Sequence, residues 1–184
     1  MRYADYYDCD ICNGNHVGMS LFVSGCPFHC QGCFNSDSWD FNSGKEWTEE
    51  VENTFIKLAG RDYIRRITFL GGSPLCDDNV SDVANLIRKL RNKYPEKEIW
   101  IYTGYSWESI WNGATLDSLE YAVATKDRRD AVSMADVLVD GRFELENRDI
   151  TLAFKGSSNQ RVIDVQQSLS SGEVILWNKN CEGH

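Results

Sequence analysis

An α/β fold with a mainly parallel sheet is predicted by three features of this chain. Short apolar segments at residues 19–23, 67–70, 99–102 and 136–139 alternate with segments of helical periodicity. The strand-like segments are apolar on both faces, the pattern of strands buried between two layers. Each one also leads straight into a loop carrying residues suited to chemistry. Strands alternating with helices imply right-handed βαβ crossovers, and ligands in such folds sit beyond the carboxyl ends of the strands. The loops are therefore expected to meet on one face.

The first strand, 19–23, runs into a loop that carries Cys26, Cys30 and Cys33. Thr48 is placed to cap a helix through residue 59, with Val51, Phe55 and Leu58 on one face. The second strand, 67–70, ends at Gly71-Gly72-Ser73-Pro74. A helix over 80–92 follows, with Val83, Leu86, Ile87 and Leu90 at i, i+3, i+4, i+7 spacing. The third strand, 99–102, stops at Thr103-Gly104, residues 116–123 have helical character, and the fourth strand ends at Asp140-Gly141. Past Phe143 the pattern weakens to a polar loop at 155–161, an apolar stretch at 162–165 and a candidate edge strand at 173–177. We expect one domain over residues 1–165 and a C-terminal tail over 166–184.

Composition narrows the class. With 184 residues, 42% hydrophobic and 26% charged, the chain suits a single domain with one packed core. No apolar stretch is long enough to span a bilayer, and the first eight residues lack a signal-peptide core, so a cytoplasmic protein without a membrane partner is expected. A net charge of −9 speaks against nucleic acid. The best candidate for a basic patch is Arg61, Arg65 and Arg66, read as one solvated helix end. Seven cysteines, an odd number, favour thiolate chemistry over a disulfide framework.

The cysteine loop carries the strongest signal. C-x3-C-x2-C gathers three thiolates on one short segment, one fewer than the four irons of a cubane cluster. A metal site with a vacant position can bind and transform a substrate there. The competing reading is a structural zinc site completed by Cys9, Cys12, Cys76 or His29. Gly71-Gly72-Ser73-Pro74 is in isolation a turn. After a strand it also lets backbone approach a ligand closely, with amides and carbonyls free to bind amino-acid-like groups. Thr103 and Asp140 sit at strand ends, where they either face the shared pocket or cap the following loop. Arg142 either pairs with a carboxylate or is solvated. Phe28 and Phe34 either cover a cluster and a nucleobase or tuck against the core.

C-x3-C-x2-C followed by Gly-Gly-x-Pro on the next strand resembles the radical S-adenosylmethionine superfamily. Within it the chain is similar to the activating proteins of anaerobic (class III) ribonucleoside-triphosphate reductase. The likeness rests on Asp10-Ile-Cys-Asn-Gly14, Leu21-Phe-Val-Ser-Gly-Cys26, Gly32-Cys-Phe-Asn35, Ile99-Trp-Ile-Tyr-Thr-Gly-Tyr105, Asp136-Val-Leu-Val-Asp-Gly141 and Gly156-Ser-Ser-Asn-Gln160. The resemblance implies a partial, open β/α barrel. It also implies a 4Fe–4S cluster on Cys26, Cys30 and Cys33, with S-adenosylmethionine chelated at the open iron. Reductive cleavage of that cofactor would give a 5′-deoxyadenosyl radical, which takes hydrogen from a glycine of the partner reductase. A low-potential donor such as flavodoxin or ferredoxin would supply the electron. Gly71, Gly72, Ser73 and Pro74 would line the methionine end, Thr103 and Asp140 would lie near it, and Phe34 would shield the cluster. The chain departs from the pattern at Ser73, where relatives often carry an acid, at Gly32, where many carry an aromatic, and at 13–16, which lacks Gly-Pro-Gly. The alternatives are an activase of the formate acetyltransferase type, a zinc-binding interaction module and a simple electron carrier.

Overall fold

The structure, a computed structural model, describes residues 1–112 and 119–178. In chain order the strands are β1 (Arg2–Asp10), β2 (Gly18–Val23), β3 (Lys45–Glu46), β4 (Arg66–Gly71), β5 (Glu98–Tyr102), β6 (Val137–Asp140) and β7 (Arg161–Asp164). The helices are α1 (Glu49–Ala59), α2 (Asp77–Lys93), α3 (Trp107–Asn112), α4 (Leu119–Ser133) and α5 (Val165–Ser171). All seven strands form one sheet in the order β3-β1-β2-β4-β5-β6-β7. The central four, β2, β4, β5 and β6, run parallel, while β1 and β7 flank them antiparallel. The protein is thus a mixed α/β fold whose sheet is parallel in the middle.

The two faces of the sheet differ, and the difference decides where the site lies. Met19, Leu21, Val23, Ile67, Phe69, Ile99, Ile101 and Leu138 point to one face and form the main core with Phe55, Val83, Leu86, Ile87, Leu90 and Val132 of the helices. The alternate residues point the other way. There Trp100, Val137 and Val139 pack with Tyr102, Phe154, Val162 and Trp177 in a smaller aromatic cluster. Arg66, Thr68, Ser20 and Asp10 are also buried, joined by hydrogen bonds from Arg66 to Thr68 and from Ser20 to Asp10.

Elements legible in the sequence form where expected. Thr48 caps α1, its Oγ1 accepting from the Val51 amide at 3.3 Å. Helix α2 begins at Asp77 rather than 80, because two aspartates in its first turn suit the positive end of the helix dipole. Of the helix expected over 116–123, residues 116–118 lie outside the described residues, and α4 continues to Ser133. At 162–165 the strand is β7, one residue earlier than expected, with Asp164 capping α5 through the Gln167 amide at 3.0 Å. In the 173–177 segment a single bridge pairs Leu176 with Ile163. The Asp164 amide donates to Ile175 and the Trp177 amide to Val162 at 2.9 and 2.8 Å.

The basic patch does not form. Arg66 is fully buried, donating to Asn15 O and Asp10 O at 2.9 Å and to the Asp10 carboxylate at 3.1 Å. Arg61 pairs with Asp8 at 2.7 Å. Of the three, Arg65 is the exposed one. No helix among the described residues is long and apolar enough to cross a membrane.

Candidate active site

A cavity of about 420 Å³ opens at the carboxyl ends of the parallel strands. Its wall includes Cys26, Cys30, Cys33 and Phe34 after β2, Gly71 and Gly72 after β4, Thr103 and Gly104 after β5, and Gly141, Arg142 and Phe143 after β6. Phe22, Leu70 and Tyr102, each at or near the end of its own strand, supply the apolar floor. The expected convergence of strand-end loops is therefore present in the structure.

Short backbone bonds stitch the cysteine loop to its surroundings. The Gly25 amide donates to Ser38 O at 2.7 Å and the Cys26 amide to Trp39 O at 3.0 Å. From the neighbouring loop, the Gly72 amide donates to Val23 O at 2.7 Å and the Ser73 amide to Gly25 O at 2.8 Å. Asn79 Nδ2 then ties Ser24 O and Ser73 O together at 2.9 and 3.2 Å. Gly71 has φ +98°, and a Cβ there would lie 2.8 Å from both Phe22 Cα and Val23 O. Only glycine allows the second loop to lie this close to the first. The expectation that the glycine amides are free needs correction at Gly72, whose amide is spent on Val23 O, as that of the following Ser73 is on Gly25 O.

Three further expected site residues are placed differently. Ser73 and Pro74 are buried and off the cavity wall, and the Ser73 hydroxyl has no hydrogen-bond partner among the described residues. Asp140 lies on the opposite face of β6 from Val139, so its carboxylate turns away from the cavity. It accepts from the Trp107 amide at 2.8 Å and from Arg161 Nε at 3.0 Å. Arg161 also reaches Glu108 at 2.8 Å, and the two carboxylates hold its guanidinium far above its ordinary range. Thr103 does line the cavity, and its Oγ1 also accepts from the Tyr105 amide at 3.2 Å.

Other wall residues were given no site role by the sequence, although Cys12, Asn13 and Tyr102 lie in blocks that carry the family likeness. Burial pushes the Tyr102 phenol well above its usual range. Cys12 and Asn13 form part of the wall because the turn after β1 is anchored from beneath. Asp10 accepts from the Cys12 amide at 2.9 Å and from Asn13 Nδ2 at 3.1 Å, while Thr68 Oγ1 donates to Asn13 O at 2.8 Å. Burial drives the Asp10 carboxyl up. Ser20, the Cys12 amide and Arg66 outweigh it and hold the group below the usual carboxylate range. This polar floor is invisible in the sequence, since arginine is rarely fully buried.

Among the described wall residues there is no carboxylate and no imidazole; the soft donors are the thiols of Cys12, Cys26, Cys30 and Cys33, and the cationic side chains are Arg142 and Lys155. Among the described residues no three His, Cys, Asp or Glu side chains are close enough together to bind a single ion. Thiolates suit zinc and iron–sulfur clusters alike, but sulfurs spread around a roomy cavity fit a cluster better than one zinc ion. Burial pushes the Cys26 thiol up against the pull of the Phe28 and His29 amides. Burial likewise raises Cys30 against the Phe143 amide, with Cys33 adding to the rise and Arg142 opposing it. Metal binding must therefore displace protons from these sulfurs.

A family model described as the 4Fe-4S single cluster domain matches residues 12–163, a span that includes every described wall residue of the cavity. A Salmonella typhi protein is 39% identical over 164 residues, covering 88% of this chain and 97% of its own. It is named anaerobic ribonucleoside-triphosphate reductase-activating protein. The chain belongs to that activating-protein family. Two more of its members are proteins of the same name from Escherichia coli and Haemophilus influenzae. They are 38% and 35% identical, covering 88% and 87% of this chain and 97% and 96% of their own lengths. Family membership and the thiol-lined cavity agree on a 4Fe–4S domain.

Proposed function

We propose that this protein activates anaerobic ribonucleoside-triphosphate reductase by reductive cleavage of S-adenosylmethionine, leaving a radical on a glycine of the reductase. Cys26, Cys30 and Cys33 would hold a 4Fe–4S cluster with one iron open to the cofactor. A cluster held there would supply the electron for reductive cleavage of S-adenosylmethionine, the source of the hydrogen-abstracting power. The observation that carries this reading is the meeting of Cys26, Cys30 and Cys33, with Cys12 on the same wall, and the Gly71-Gly72 loop in a cavity that has no described carboxylate or imidazole.

The chain's own residues have separable tasks in this scheme. With the Gly72 and Ser73 amides already engaged, the glycine loop would meet the cofactor's ammonium through carbonyl oxygens. Phe22, Leu70, Tyr102 and Phe154 exclude water from the floor, where a carbon radical must be protected. Phe34 is 66% exposed at the rim, edge-on to Phe143 at 5.9 Å, and would shield the cluster from solvent. Parallel strands capped by one cavity support a partial, open β/α barrel, a shape that admits a loop of another protein. A cytoplasmic setting and a flavodoxin or ferredoxin donor belong to the same proposal. The names carried by the relatives favour the reductase over formate acetyltransferase as the target.

Anaerobic reconstitution with iron and sulfide tests the cluster assignment. The expected protein is brown, and on reduction it converts S-adenosylmethionine to 5′-deoxyadenosine. Cys26→Ala, Cys30→Ala and Cys33→Ala should each abolish this conversion, and Cys181→Ala should retain it. A colourless protein loaded with zinc would overturn the proposal.

A further inference from the structure

The loop at residues 156–160 lies apart from the cysteines in sequence, yet it grips the segment that touches them. Gln160 Oε1 accepts from the Gly156 and Ser157 amides at 2.9 and 3.2 Å, which fixes its Nε2 as the donor to Gly141 O at 3.0 Å. Asn159 Nδ2 donates to Arg142 O at 2.8 Å. The Ser157 hydroxyl, fully buried, accepts from the Glu144 amide at 3.2 Å. The side chains of Ser157, Asn159 and Gln160 thus hold the backbone on both sides of Phe143.

The gripped segment faces Cys30. Arg142 and Phe143 share the cavity wall with Cys30, and the Phe143 amide and the Arg142 charge both favour the Cys30 thiolate. The Arg142 guanidinium lies 4.7 Å from the ring centroid of Phe28, which stands between Cys26 and Cys30 in the loop. Cys26 and Cys33 have amide donors from their own loop, Phe28 and His29 for the first and Asn35 at 3.4 Å for the second. Cys30, besides its own amide, is served by one from more than a hundred residues away, so its environment depends on how that distant strand end is held.

We propose that Asn159 and Gln160 are positioning residues: they clamp residues 141–143 so that the Phe143 amide and the Arg142 guanidinium raise the reduction potential of a cluster bound at Cys30. The inference rests on the cluster assignment under Proposed function. Hydrogen bonds and positive charge at a cluster's sulfurs stabilise the reduced, more negative state.

The test is the midpoint potential of the reconstituted protein, followed by paramagnetic resonance without S-adenosylmethionine. Arg142→Gln and Asn159→Ala should each lower the reduced-to-oxidised ratio at a fixed poise about tenfold, a shift of ~59 mV for a one-electron couple. Gln160→Ala should shift it in the same direction. Arg142→Lys, which keeps the charge, should recover most of the loss. Arg142 is exposed, so its variants test the idea even if the clamp variants fold poorly. Wild-type potentials in variants with full iron content would overturn the inference and leave the cluster assignment standing. So would a shift seen only after S-adenosylmethionine is added, which would place Arg142 on the ligand instead. A wild-type protein that binds no iron would overturn the cluster assignment, and this inference with it.

Discussion

Replacing Gly71 with alanine tests how closely the two loops that frame the site are fitted together. Two costs add at this position. Its φ of +98° is a conformation that L side chains resist, costing roughly 1–2 kcal/mol. The new methyl would also lie 2.8 Å from Phe22 Cα and Val23 O, both main-chain atoms of β2 held in a sheet ladder. Relief of that overlap requires a backbone shift, typically about 1–3 kcal/mol in a well-packed interior. A total near 3 kcal/mol follows. Gly172 separates the two costs, because it has φ +77° as the residue after α5 and nothing within 4 Å of an added Cβ. Gly172→Ala should therefore lose only the conformational part. Urea unfolding of both variants under anaerobic conditions gives the comparison. If Gly71→Ala lost no more stability than Gly172→Ala, the claimed contact between the glycine loop and β2 would be wrong.

Two further perturbations probe the polar floor. Arg66→Met should destabilise the protein by about 3–5 kcal/mol, since it leaves the Asp10 carboxylate buried without its cation; urea unfolding at neutral pH measures it, and a loss under 1 kcal/mol would contradict the structure. Asp10 is held below the ordinary aspartate value of 3.8, so its contribution is present above that pH and lost as pH falls through the folded-state value. Unfolding followed from pH 6 downward should show a shallower acid loss in Asp10→Asn than in the wild type, and equal slopes would refute the assignment.

The parts of the fold and site that the sequence disclosed share a physical cause: they are written in local pattern. β2, β4, β5 and β6 are short apolar runs, α1 has a capping threonine, and the cysteine spacing survives any packing. What escaped reading depends on partners far along the chain. β1 is largely exposed and carries three tyrosines among its aspartates, so no apolar run announces it. Asp140 looked like a pocket residue because it ends a strand. One position of strand parity turns it instead toward Arg161 and the Trp107 amide. Arg66 reads as surface by composition and is buried because Asp10, fifty-six positions earlier, meets it. The 156–160 block was legible as a motif but not as a clamp, since its acceptors at Gly141 and Arg142 belong to another strand end.

The most direct test of the central claim mixes the reduced, reconstituted protein with S-adenosylmethionine and anaerobic ribonucleoside-triphosphate reductase. Paramagnetic resonance then reports the partner's backbone. A glycyl radical on the reductase, absent when Cys26, Cys30 or Cys33 is alanine, is the predicted result. A reductase that remains free of radical while the protein holds its cluster and cleaves S-adenosylmethionine would contradict the proposed target.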